Sequence, residues 1–402
     1  MSTMKLRPKI WIFVVAICAL IFVIVPTGNV TYADDLTQDE IEQELQDNVN
    51  SQLGDLDFDS IEELLKALQK SQSSLFGKGS FLDKIRAILS GEFADGATSV
   101  WGAIFALILD NLVQLLPLIS SVVAIAIFGG MLQGLKPSGG KSISNVIHFV
   151  TYGLIVTLLL TCTAQMVSSV SGVILSLKAQ MDALFPILLT LMTALGGTTS
   201  VSVYQPAMAL LSGTIMNVFS YILLPIFIFS IVFSVVSNLS STVKLDKFTS
   251  FFTSLFKWLM GLVFTIFTAF LSIQGITAGT IDGISIRTAK YAIKSYVPIL
   301  GGYLADGLSL ILASSSLIKN AVGGAGLLLL VSTIISPLLE LIIFMLALKL
   351  IAAIIEPLGG GQVANFASSL AKSMSLLISL IIAVAFIYFI MLALVMCTAN
   401  VV

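Results

Sequence analysis

From Leu112 onward the chain is a succession of long apolar runs broken by Gly, Pro, Ser and isolated charges. About 20 apolar residues in a helix cross the hydrocarbon core of a bilayer, so runs of this length predict membrane spans. The pattern places spans near 112–133, 146–170, 205–236, 251–273, 323–355 and 373–398, with two shorter apolar pieces at 183–198 and 297–317. The first of these pieces is closed by Gly196-Gly197 and reads as either a re-entrant helix or a span. Roughly six to eight membrane-embedded helices are expected. Upstream the pattern changes. Ile61, Leu64, Leu65 and Leu68, and then Phe81, Ile85, Ile88 and Leu89, recur at helical spacing among polar residues. They predict two short amphipathic helices lying on the membrane surface or on the protein's own outer face.

An echo runs through the apolar region. Phe185-Pro186-Ile187-Leu188 recurs as Val297-Pro298-Ile299-Leu300, an offset of 112 that also carries Lys178 onto Lys290 and Pro225 onto Pro337. Leu115-Leu116-Pro117 and Leu223-Leu224-Pro225 give a further echo. The implied order is hairpin (112–170), insert (171–220), hairpin (221–273), insert (283–332), hairpin (333–398), a parallel rather than inverted repeat. The predicted fold class is therefore all-α, a polytopic membrane helix bundle with this internal repeat, preceded by a small extracytoplasmic helical segment.

Composition reinforces this class. Of 402 residues 57% are hydrophobic and 10% charged, and the mean hydropathy is +1.04. Charge falls into three blocks. Residues 1–33 carry Lys5, Arg7 and Lys9 and no acid, 34–100 carry 15 acids against 5 bases, and 101–402 carry 12 bases against 7 acids. The first block, with its basic start, apolar run Ile10 to Val25 and small-residue exit at Thr31-Tyr32-Ala33, reads as a signal peptide (1–33), an uncleaved anchor being the alternative. The acidic block (34–100) then lies outside the cytoplasm, and 101–402 forms the membrane domain. Lys136, Lys141, Lys244 and Lys247 mark two hairpin turns as cytoplasmic by the positive-inside bias.

That bias is broken at one place. Asp282, Arg287, Lys290, Lys294, Asp306 and Lys319 crowd into an otherwise apolar stretch, and charges at membrane depth cost about 2.5–3.5 kcal/mol each on insertion scales. Arg287, Lys290 and Lys294 are spaced i, i+3 and i+7 and share one helical face. They are either an interfacial anchor or a stripe that lines a polar path or meets an acidic partner, and Arg287, Lys290, Lys294, Asp306, Lys319 and Asn320 are the candidate functional residues. Gly275, Gly279 and Gly283 form overlapping GxxxG steps suited to close helix packing, as do Gly130 and Gly134. Gly323, Gly324 and Gly326, and the run Gly359-Gly360-Gly361, read as hinges or helix breaks. Lys349 and Glu356 are spaced for a structural ion pair.

Enzymatic signals are sparse. His148 is the single histidine, and Cys18, Cys162 and Cys397 form no disulfide framework. The run Gly134 to Ser142 departs from phosphate-loop spacing, since position 135 is Leu, and it links two apolar helices. No catalytic, cofactor-binding, metal or nucleic-acid site is expected.

Ile286-Arg287-Thr288-Ala289-Lys290-Tyr291-Ala292, Tyr296 to Gly302, Asp306 and Lys319 to Gly326 resemble the stage III sporulation protein AE family. Leu195 to Ser200 with Gln205-Pro206 is similar to a second patch of that family. The resemblance implies a multi-pass protein in the mother-cell membrane around the forespore of endospore-forming bacteria. It also implies partnership with other stage III sporulation A proteins, including a secretion-type ATPase and ring-forming envelope proteins. Together these would form an export or channel complex needed for late forespore gene expression. A stand-alone permease for a small anion, built on the Arg287/Lys290 stripe, is the alternative reading.

Overall fold

The computed structural model describes residues 38–54, 56–71, 80–90, 97–134, 141–239, 245–277, 287–288, 290–295, 301–358 and 361–398. The signal reading for 1–33, Asp282, Gly279, Gly283 and the Pro298 end of the repeat lie outside them. The chain forms two compact units, Met1–Glu44 and Leu45–Val402. Of the first only residues 38–44 are described, as the opening turns of helix α1 (Gln38–Gly54).

The second unit is almost entirely helical over its described residues. Two amphipathic helices, α2 (Asp59–Ser71) and α3 (Phe81–Leu89), precede α4 (Ala97–Gly134) and α5 (Lys141–Ala194). Next come α6 (Thr198–Ala209), α7 (Met216–Val218), flanked by π-helical turns at Leu210–Ile215 and Phe219–Leu223, and α8 (Leu224–Leu239). The last three are α9 (Asp246–Thr277), α10 (Gly301–Ile355) and α11 (Gly361–Cys397). Residues 290–295 form a short helical stretch between α9 and α10. Among the described residues, six helical segments are long and apolar enough to cross a membrane. Helix is the solution because hydrocarbon offers the backbone no partner, so each N–H and C=O must be met within its own segment. Hydroxyls obey the same constraint: Thr157, Thr161, Thr163 and Thr265 each donate to the carbonyl four residues back.

The structure redraws several sequence boundaries. The pieces 183–198 and 297–317 are largely continuations of the neighbouring spans, within α5 (54 residues) and α10 (55 residues), rather than re-entrant or separate helices. At 1.5 Å per residue each helix is about 80 Å long, far more than the roughly 30 Å hydrocarbon core. Pro186 and Pro337 sit inside them without ending them. Gly323, Gly324 and Gly326 are not hinges: all three lie inside α10, where the missing side chain admits a neighbouring helix. A Cβ at Gly323 would stand 2.5 Å from Met396 Cγ, and one at Gly326 would stand 2.9 Å from Leu184 Cδ1. The Gly196-Gly197 stop does end α5. Gly196, at φ 78°, donates to Thr193 O and Gly197 donates to Met192 O, the paired bonds of a Schellman cap.

Hairpins form where the pattern placed them, α4 with α5, α8 with α9 and α10 with α11. An offset of 112 carries the end of α8 to Ile351, close to the end of α10, but carries the 195–197 turn into the interior of α10. The echo thus follows the hairpins and not the inserts. α11 is the central element, packed by α10, α5 and α8, and 61% of its apolar window is buried. α2 and α3 pack on α5 and α10 through Ile61, Leu65, Phe81 and Ile85, with Phe58 against Phe81 at 5.7 Å. Ser80 caps α3 in a reciprocal box with Asp83: the Asp83 N–H donates to Ser80 Oγ, and Asp83 Oδ2 accepts from the Ser80 N–H.

Candidate functional site

The six candidate residues do not form one site. Arg287 is exposed and Lys290 half-buried on the short stretch before α10. Lys294 pairs with Asp306 at 3.3 Å, with both side chains more than half exposed. Lys319 lies 13 residues further along α10, about 20 Å from Asp306. It is fully buried, and its Nζ donates to Thr398 O at the end of α11. Tyr204 on α6 shares a hydrogen bond of 2.9 Å with the Thr398 hydroxyl, so α6 and α10 meet the end of α11 beside this lysine. Asn320 is half-buried, and its Oδ1 is buried with no hydrogen-bond partner among the described residues. Gly275 lies in the last turns of α9.

Lys319 starts a seam that sequence reading missed. Lys319, Gly326, Thr333 and Glu340 recur every seven residues of α10 and so share one face. Opposite them run Leu184, Gln180 and Ser169 on antiparallel α5. Leu184 packs at Gly326, Gln180 Nε2 donates to Thr333 Oγ1 at 2.7 Å, and Ser169 Oγ donates to Glu340 Oε2 at 3.2 Å. From Lys319 to Glu340 the seam runs about 31 Å, comparable to a bilayer core. It leaves acceptor capacity unused: Gln180 is 1% exposed, yet its Oε1 has no partner among the described residues, and the buried Tyr388 hydroxyl is likewise unmet. The heptad spacing was legible in the sequence. Its members do not stand out as a group, because each sits alone in an apolar run.

A second polar contact lies on the outer side of α5. Lys178 Nζ donates to Asn217 Oδ1 at 3.2 Å, and Asn217 lies on α7 between the two π-helical turns. π-turns insert a residue into the helical ladder and often mark functional positions. Among the described residues, no three His, Cys, Asp or Glu side chains gather to hold a metal ion. Cys162 and Cys397 are free thiols. Outside the spans, the Asp83 carboxyl is held below its usual range, chiefly by the Ser80 backbone N–H and then by its hydroxyl, and burial lowers the Lys84 ammonium.

The chain is 25% identical to stage III sporulation protein AE of Bacillus subtilis (strain 168) over 324 residues, which cover 80% of each protein. No solved structure matches it. The family profile for stage III sporulation protein AE matches residues 80–399, from the cap of α3 to the end of α11. This multi-pass helical membrane protein belongs to the stage III sporulation protein AE family.

Proposed function

We propose that this protein is the membrane-embedded subunit of a sporulation export or channel complex joining mother cell and forespore, in the mother-cell membrane around the forespore, and that it supports late forespore gene expression. Family membership over residues 80–399 carries the reading. Other stage III sporulation A proteins, including a secretion-type ATPase and ring-forming envelope proteins, are its expected partners. The chain's part is structural: to anchor an assembly in the bilayer and to present a folded extramembrane face to it. Exposed Arg287 and half-buried Lys290, with the Lys294–Asp306 pair beside them, suit that face better than the lining of a permease.

The packing supports a definite sidedness. Gln52 accepts from Ser315 at 2.7 Å and Ile88 lies against Gly324, so Gln52 of α1 and helix α3 share a side with the first half of α10. The 195–197 turn joins them through Leu195, which packs with Leu312, and the end of α11 joins through Lys319. With the signal start in the cytoplasm, that side is extracytoplasmic. The turns after α4, α8 and α10 are then cytoplasmic, matching Lys136, Lys141, Lys244 and Lys247. A C-terminal alkaline phosphatase fusion is expected to be active and a fusion inserted after Lys247 inactive; the opposite pattern would overturn the sidedness.

The functional reading is tested in a sporulating strain by Arg287→Gln with Lys290→Gln, scoring forespore reporter expression after an immunoblot confirms normal protein level. Lost reporter activity places function on the outer face. Normal spores reduce those cations to an interfacial anchor, and unchanged sporulation on deleting the whole gene overturns the proposed role.

A further inference from the structure

Beyond its first two residues, each of the two least buried spans exposes one charge, and the charges are opposite. Only 17% of the apolar window is buried in α4 and in α9, against 61% in α11. Asp110 is exposed on α4, held by Gln114 Nε2 at 3.0 Å on the same helix, and Lys257 is exposed on α9 with no carboxylate partner among the described residues. Neither belongs to the seam or to the extramembrane face.

Contacts across the bundle put both charges at one depth. Gly129 faces Thr151 between α4 and α5, and counting up those antiparallel helices brings Asp110 level with the Ser169–Glu340 pair. On the other flank, Ser230 meets Thr253 between α8 and α9, and Ser234 meets Ser369 between α8 and α11. Met396 packs at Gly323 and Leu392 at Gly326 between α11 and α10. Counting through these pairs brings Lys257 level with residues 341–342 of α10, within about one helical turn of Glu340.

The surroundings of each charge match. On α4 the exposed face holding Asp110 also carries Gly102, Ala106, Pro117, Ser120 and Ala124. On α9 the face holding Lys257 carries Ser250, Ser254, Gly261, Thr265 and Thr268, all exposed. Small residues let membrane helices approach closely enough for a buried ion pair to form. Set antiparallel with Asp110 opposite Lys257, the register places Ala106 opposite Gly261 and Gly102 opposite Thr265. α4 packs on α5 and α10 whereas α9 packs on α8, so the two faces lie on different flanks and cannot meet in one molecule as folded.

We propose that α4 of one copy docks on α9 of a second copy through an Asp110–Lys257 pair at membrane depth, a head-to-tail contact. Repetition of such a contact gives a closed ring or an open row rather than a two-fold dimer. The occupant is this same chain, since it carries both halves of the contact at matching depth.

The test uses the full-length chain with Cys18, Cys162 and Cys397 replaced by Ser, carrying Ala106→Cys and Gly261→Cys, in membranes of a host without sporulation proteins. Oxidation with copper phenanthroline is expected to give a ladder of dimers, trimers and higher bands on a non-reducing gel. Adding Asp110→Lys is expected to reduce the ladder at least tenfold at unchanged membrane level, and adding Lys257→Asp as well is expected to restore it. Three results would each overturn the proposal: no adduct, dimers formed equally by Ala106→Cys alone, or adducts only when other sporulation proteins are co-expressed. A charge-swapped double variant at normal level that fails to regain the ladder would remove the ion pair from the contact.

Discussion

Lys294 and Lys319 lie in the same charged stretch, yet the fold treats them in opposite ways. Lys294 stays more than half exposed and pairs with exposed Asp306, an ion pair of the kind worth about 0.2–1 kcal/mol. Lys319 is drawn wholly into the junction of α6, α10 and α11, its ammonium on the Thr398 carbonyl and its stem packed among apolar helices. Burying a cation is tolerable only where polar groups replace its water, and the Thr398 carbonyl at the end of α11 is one of them. The charges of Lys294 and Asp306 therefore stay on the surface, and that of Lys319 is committed to the bundle.

The largest expected effect falls on the seam. Lys319→Ala removes the ammonium from Thr398 O and leaves a cavity, and it should cost about 2–4 kcal/mol, read as a lower melting midpoint in detergent and reduced membrane level. Lys319→Met keeps most of the stem volume and should recover part of that loss. If Met and Ala behave alike, the ammonium and not the packing decides. Gly326→Leu comes next, because Leu184 already lies against the site; overpacking of about 1–3 kcal/mol is expected, and relief by Leu184→Ala would confirm the α5–α10 register. Thr333→Val keeps the shape but leaves Gln180 Nε2 without its acceptor, for about 1–2 kcal/mol. Asp306→Asn should scarcely move the midpoint, and a loss as large as that of Lys319→Ala would collapse the distinction between the two lysines.

The cap of α3 sharpens the comparison by pH. The native Asp83 carboxyl is held below its ordinary value, so its stabilisation is present above that ordinary value and is lost as pH falls through the lower, native one. Acid should loosen α3 from α10, read as faster proteolysis between α3 and α4, and Ser80→Ala should lower the pH sensitivity by removing the hydroxyl that helps hold the carboxylate.

The hydrophobic pattern by itself determined the all-α membrane class, the amphipathic helices before the spans, the three hairpins and the Gly196-Gly197 stop. Each follows from local physics: apolar length sets a span, 3.6-residue spacing sets a face, and only glycine takes φ 78° at small cost. Tertiary structure decided the rest. The glycines of 323–326 look like hinges until α5 and α11 are seen filling the space they leave, and Pro186 and Pro337 lie inside α5 and α10 without ending them. Lys319 and Lys294 cannot be told apart by spacing, because whether a charge is buried depends on helices from elsewhere in the chain. Gln180 meets Thr333 across 153 residues and Ser169 meets Glu340 across 171, separations that no local pattern encodes.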